Sequence, residues 1–90
     1  MIQITLPSAV AQITGVRRCQ LEDAATVQQA LEVLLQRYPA LRREFLDESG
    51  MLEMHVIISV NDQQLSELEG LDTPLKDGDE ISIFLALSGG

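Results

Sequence analysis

Ile2, Ile4 and Leu6 alternate with Gln3 and Thr5, the two-residue period of a strand with one buried face. Pro7-Ser8 ends that run. A turn at Thr14-Gly15 leads into Val16–Leu21, a second predicted strand, so the chain opens as a hairpin with a long loop. The clearest periodicity comes next: Val27, Ala30, Leu31, Leu34, Leu35 and Tyr38 fall on one face of a helix. Thr26, with Gln29 three residues on, supplies a capping box for amides that the first helical turn leaves unpaired. Pro39 disfavours helical geometry at Tyr38 and ends the run, and it can open a short second helix with Leu41 and Phe45 on one side. Past Ser49-Gly50, the residues Met54, Val56, Ile58 and Val60 alternate as a third strand, and Asn61-Asp62 are turn residues that tolerate positive φ. A polar, glycine-punctuated stretch runs to Thr73-Pro74-Leu75. Lys76-Asp77-Gly78-Asp79 then makes a tight turn into a last strand, Ile81–Leu87.

Two strands, a long helix and two further strands predict one amphipathic helix laid over one face of a single mixed sheet, an α+β fold in two layers. Periodicity leaves the strand order open. Ninety residues give a single domain, 1–90, with no room for a second core. A hydrophobic content of 46% against 22% charged residues excludes a disordered chain. The net charge of −8 argues against a nucleic-acid partner, which needs clustered Lys and Arg. That charge is uneven: from Leu46 onward there are ten acidic residues, and Lys76 is the one base. Solubility accounts for such a surface; the alternative is that this half docks on a basic partner. Met1–Leu6 carries no basic flank and no long apolar run, so neither a secretory signal nor a membrane span is expected. The lone Cys19, without a disulfide partner, fits the reducing cytoplasm.

Few residues read as catalytic. Cys19 alternates with Arg18 and shares a strand face with Leu21, so it is expected to be a buried small hydrophobe. His55 has no Ser, Cys or second His nearby in the sequence and is expected at the surface. Asp77, Asp79 and Glu80 lack the spacing of a calcium loop and read as a solvated turn, and no metal site is expected elsewhere. Ile57 and Phe84 are more telling. If Val56, Ile58, Ile81 and Ile83 face the helix, alternation turns Ile57 and Phe84 outward. Were the third and last strands neighbours, the two side chains would form an exposed docking patch, unless loops cover them.

The segment Leu75-Lys76-Asp77-Gly78-Asp79-Glu80-Ile81, then Ser82–Leu87, then Ser88-Gly89-Gly90, resembles the MoaD/ThiS family of ubiquitin-like sulfur carriers, as does the Val60-Asn61-Asp62 turn. The resemblance spans the chain. It implies a two-layer β-grasp fold, with one mixed sheet of four to five strands, one long helix and a short second helix. It also implies that residues 85–90 are a flexible C-terminal tail. The length of the Phe45–Met54 segment is most similar to carriers of thiocarboxylate-dependent cysteine synthesis or to the molybdopterin synthase small subunit. Leu85-Ala86 stands where molybdopterin-type members commonly carry Pro-Pro.

In that family the terminal glycine carries the chemistry. The resemblance implies that an E1-like adenylating enzyme uses ATP to convert the Gly90 carboxylate, a poor electrophile, into an acyl-adenylate. Sulfur from a sulfurtransferase or desulfurase then displaces AMP and leaves a thiocarboxylate, which a sulfur-accepting synthase consumes in cofactor, amino-acid or metabolite biosynthesis. Gly89 and Gly90 are the expected sulfur-accepting end, because a backbone without Cβ approaches catalytic groups closely. Leu85–Gly90, if extended, would reach roughly 20 Å. Ile57, Phe84, Leu85, Leu87 and Ser88 are the expected partner-binding residues. On this reading the chain is a protein co-substrate, not an enzyme, and binds no permanent cofactor. Two alternatives share the tail: a ubiquitin-like modifier joined to lysines through Gly90, and a small subunit whose tail completes molybdopterin synthase.

Overall fold

The computed structural model describes residues 1–86. The opening alternation forms β1, Ile2–Thr5, with Ile2, Ile4 and the following Leu6 buried. It pairs antiparallel with β2, Arg18–Leu21. The connection between them is a helix, α1, at Ser8–Thr14, where a plain loop was expected. Only Val10 of this short segment is buried, so it shows no stripe for a periodicity argument to find. Gly15 closes α1 at φ 75°, a left-handed geometry that glycine adopts without penalty. Val16, expected within the second strand, lies before it. The Thr14 hydroxyl donates to the Val16 carbonyl (2.6 Å) and accepts from the Val16 N–H (3.2 Å), holding that residue in a turn.

The predicted long helix is α2, Val27–Arg37, and it buries Val27, Ala30, Leu31, Leu34 and Leu35. The Thr26 hydroxyl accepts from the Gln29 N–H (3.2 Å), while the Gln29 side chain accepts from Ala25, one residue before the cap (2.9 Å). Tyr38 caps the far end, half-buried, and Pro39 starts a 3-10 turn, Pro39–Leu41. That turn runs into α3, Arg42–Phe45, and both Leu41 and Phe45 are fully buried. Next, the Asp47 carboxylate accepts from the Ser49 hydroxyl (2.6 Å), the Ser49 N–H (2.8 Å) and the Met51 N–H (3.0 Å). These bonds, the Ser49 hydroxyl first, hold its carboxyl below the usual aspartate range.

β3 is Val56–Val60, two residues shorter than the alternation from Met54 predicted. Met54 is fully exposed, because the Val56 N–H bonds back to the Glu53 carbonyl (3.1 Å) and curls the chain before the strand begins. Asn61 and Asp62, at φ 50° and 72°, turn the chain into a two-residue strand, β4, Gln63–Gln64. The stretch read as polar and irregular then forms 3-10 turns at Leu65–Glu67 and Gly70–Asp72. Leu65, Leu68 and Leu71 pack against the core at a spacing of three, the 3-10 period. The last strand is β5, Glu80–Leu85.

The sheet order is β2-β1-β5-β3-β4, with β1 and β5 parallel and the other pairs antiparallel. One core joins Ile4, Leu31, Leu34, Leu35, Ile58 and Ile83, with Val56 at its margin, as the helix stripe required. The start of α2 is fastened to the chain before β5 by hydrogen bonds from Val27 to the Thr73 carbonyl (3.1 Å) and from Leu75 to the Ala25 carbonyl (2.9 Å).

The two turns at the same end of β3 and β5 are joined through Asp79. Its carboxylate accepts from the Lys76 N–H (2.9 Å) and from the Asn61 side-chain amide (2.9 Å), and the Asn61 side-chain oxygen accepts from the Glu80 N–H (3.0 Å). The expectation of a solvated turn therefore holds for exposed Asp77 and Glu80 and fails for Asp79, which is buried. The Lys76 amide, then the Asn61 amide, hold its carboxyl below the usual aspartate value of 3.8. A carboxyl lowered in the folded state adds stability above its ordinary pKa and loses it as pH falls through the lowered one. Asp79→Ala should therefore cost about 1–3 kcal/mol at neutral pH. In thermal melts from pH 7 to pH 3, the gap between wild type and variant should narrow below about pH 4.

Candidate partner interface

The chemistry of this surface starts from the hydrogen-bond phase of β3 against β5. The Asn61 N–H donates to Glu80 (2.9 Å) at one end and the Ala86 N–H donates to His55 (2.7 Å) at the other. Between them Ile57 stands opposite Phe84, and Ser59 opposite Ser82. Ile81 and Ile83 point into the core, so the period of two puts Ser82 and Phe84 on the outer face. Phe84 is 53% exposed and Ile57, half-buried, lies beside it. Phe84 is open to solvent, whereas Ile57 also borders a hollow lined by Leu52, Gln64, Leu65 and Ser66. Ser59, Ser82 and Thr5 continue across the same face in register, so small polar side chains bound the apolar patch on its sheet side.

The strand also shows where the body stops. Leu85 was expected to begin the tail, but it is paired with Val56 within β5, and alternation turns it inward to pack at the margin of the core. The Ala86 bond extends the sheet one residue further. Leu85 and Ala86 therefore belong to the body, because Leu85 packs at the core and the Ala86 N–H is bonded to the chain beside it. Leu87, Ser88, Gly89 and Gly90 lie outside the described residues. Covalent geometry limits those four to a reach of at most about 14 Å past Ala86, against the roughly 20 Å expected for six.

Of the remaining sequence candidates, Cys19 lies on β2, apart from this surface, while His55 stands opposite Ala86 next to it. Cys19 is buried, and burial pushes its thiol up from the usual value while the Arg37 charge pulls weakly the other way. His55 is partly exposed, with Nδ1 3.8 Å from a Glu53 carboxylate oxygen. Among the described residues, no three His, Cys, Asp or Glu side chains come together as a metal site. No helix among them is long and apolar enough to cross a membrane. The sequence reading missed the Asn61–Asp79 link and α1. The first needs two turns that lie 18 residues apart to meet, which no local pattern reveals.

A five-strand mixed sheet gripping one long helix, with the last strand at its centre, is the β-grasp of ubiquitin-like carriers and modifiers. The chain belongs to the ThiS family, whose sequence model matches residues 4–90. Small archaeal modifier protein 3 of Haloferax volcanii is 34% identical over 71 residues, covering 79% of this chain and 76% of that one. The sulfur carrier protein CysO of Mycobacterium tuberculosis is 28% identical over 91 residues, covering 99% and 98% respectively. The solution structure of small archaeal modifier protein 1 from Methanosarcina acetivorans superposes with a TM-score of 0.89 at 29% identity, over 99% of this chain and 95% of that chain.

Proposed function

We propose that this protein is a cytoplasmic sulfur carrier whose Gly90 carboxylate is adenylated by an E1-like enzyme and converted to a thiocarboxylate. The observation that carries the reading is the outward-facing Ile57–Phe84 pair, with Phe84 exposed and Ile57 half-buried beside it, set on the sheet two residues before Ala86, the point from which the chain continues to Gly89-Gly90. A partner that binds this patch would hold the body within tail's length of its own catalytic centre. In the proposed chemistry, the carboxylate oxygen attacks the α-phosphorus of ATP and pyrophosphate leaves. A persulfide held on a cysteine of a sulfurtransferase or desulfurase then adds to the activated carbonyl and expels AMP, and a second thiol attacks the donor's sulfur in the resulting acyl disulfide, releasing the thiocarboxylate and leaving a disulfide on the donor. A sulfur-accepting synthase finally takes the sulfur. ATP belongs to the partner enzyme, and the chain binds no permanent cofactor. The near end-to-end likeness to the CysO sulfur carrier supports this reading. The test is loading: incubate the chain with its adenylating enzyme, ATP and a sulfur donor, and look by intact-mass spectrometry for one oxygen replaced by sulfur.

A second reading, attachment of Gly90 to lysines, is favoured by the likeness to small archaeal modifier protein 3. It predicts Gly90–lysine isopeptides in digests of cell extract, and their absence alongside a loaded thiocarboxylate would leave the carrier reading alone. Both readings need the docking patch. Phe84→Ala should weaken binding to the adenylating enzyme about tenfold or more, as truncation of a central aromatic anchor does. Because Phe84 is half exposed, the melting temperature should move by only a few degrees.

A further inference from the structure

Residues 1–21 contain no Asp or Glu and include Arg17 and Arg18, in a chain whose net charge is −8. α1, within that span, bears no charged side chain. Among the described residues neither arginine enters an ion pair. Arg18 alternates with buried Cys19, so its side chain leaves β2 on the outer face of the sheet, in register with Thr5 and, beyond it, Ser82.

The pairing of β1 with β2 runs one step past Thr5, since the Leu6 N–H donates to the Arg17 carbonyl (2.7 Å). Pro7 follows at φ −68° and ψ 149°, still extended, and alternation after inward-facing Leu6 turns it outward. Carried two residues on, the registers Thr5↔Ser82 and Thr5↔Arg18 set Pro7 between Phe84 and Val16. Val16 is 39% exposed. Ile57, Phe84, Pro7 and Val16 thus cross the outer face as one apolar row, at the end of the sheet from which the chain continues to Gly89-Gly90. Four strand positions span about 14 Å, and Arg18 stands two residues from Val16, about 7 Å away. A single partner surface of ordinary size covers all of them.

Charge selects that partner. A surface that covers Phe84 and follows the row meets a cation at its far end. Glu80, the acid that β5 turns to the same face, lies at the opposite end of the strand from Phe84. Complementary potential sets orientation and on-rate at a docking surface, so the matching surface here is acidic, although the chain's net charge alone calls for a basic one.

We propose that the docking face runs past β5 over Pro7 and Val16 to Arg18, and that the adenylating enzyme meets this corner with an aliphatic side chain on Val16 and a carboxylate on Arg18. The proposal rests on the reading that such an enzyme docks at Phe84. A second contact at Arg18 fixes the rotation of the body about the Phe84 anchor, and with it the direction in which the tail enters.

The test follows pyrophosphate release by the adenylating enzyme with the full chain as substrate, together with association rates at low and high salt. Arg18→Glu should raise KM about tenfold with kcat unchanged, slow association, and remove most of its salt dependence. Arg18→Gln should fall between wild type and Arg18→Glu, and Val16→Ser should raise KM several-fold. Arg43→Glu makes the same charge change on α3, in the helical layer, and should leave KM within about twofold. All four positions substituted are exposed side chains, and circular dichroism melts should show each variant folded. Faster association of Arg18→Glu would mean a basic surface opposite this corner and would overturn the proposal, as would an equal response from Arg43→Glu. Loss of loading in Phe84→Ala with no effect of Arg18→Glu and Val16→Ser would leave the docking patch standing without this extension. Absence of pyrophosphate release with the wild-type chain would sink the carrier reading itself, and the proposal with it.

Discussion

Removing Gly89 and Gly90 should abolish sulfur loading while the body folds and still binds the adenylating enzyme. The physical reason is the division of labour at Ala86: the sheet holds the chain up to that residue, and the described core is built from residues between Ile2 and Leu85. Melting temperature and circular dichroism should match the full chain within error, and affinity for the enzyme should fall only by the tail's own contribution. Gly90→Ala is the finer probe. It retains a carboxylate and adds one methyl group beside the reacting carbon, where a displacement of an ångström can cost about 100-fold in rate. Its expected stability change is under about 0.5 kcal/mol. A truncated chain that is still loaded with sulfur, or that supports the pathway in cells as well as the full chain, would remove the basis of the carrier reading.

Leu34→Ala should destabilise the protein by roughly 2–5 kcal/mol, a large fraction of what a domain of this size possesses. Leu34 is fully buried at the middle of the α2 stripe, among side chains from the sheet and from α2 itself. Truncation removes apolar contact and leaves a cavity that a short, capped helix cannot close by shifting. Chemical denaturation should show a lower midpoint with little change in slope, and an unchanged midpoint would mean that the stripe is not core.

These two predictions rest on features of unequal legibility. α2 was readable because its apolar stripe, its Thr26 cap and the Pro39 stop are all local: each depends on residues within one turn of its neighbour. β1 and the inner phase of β5 were readable for the same reason, since alternation records burial directly. α1 was not, because one buried side chain in seven residues makes no pattern. β4 was not, because two polar residues form a strand only when β3 is already present to pair with them. The Leu65, Leu68 and Leu71 spacing was visible in the sequence, but a period of three over so short a run is hard to tell from a loop with scattered leucines.

For the candidate interface, alternation along β3 and β5 was enough to turn Ile57 and Phe84 away from the helix. It did not make them neighbours. That depended on the strand order, which placed β5 between β1 and β3, and on a register set by hydrogen bonds at Asn61 and Ala86. The same register moved Leu85 from the tail into the body and shortened the reach left to residues 87–90. By itself the sequence determined the elements whose burial repeats at a fixed local period, together with the Gly89-Gly90 pair that the proposed chemistry uses. Only the tertiary structure decided which strands touch and that Asp79 lies buried between two turns. Side-chain periodicity reports which face is buried, whereas pairing and register arise from long-range main-chain bonds whose donors and acceptors are the same in every residue but proline.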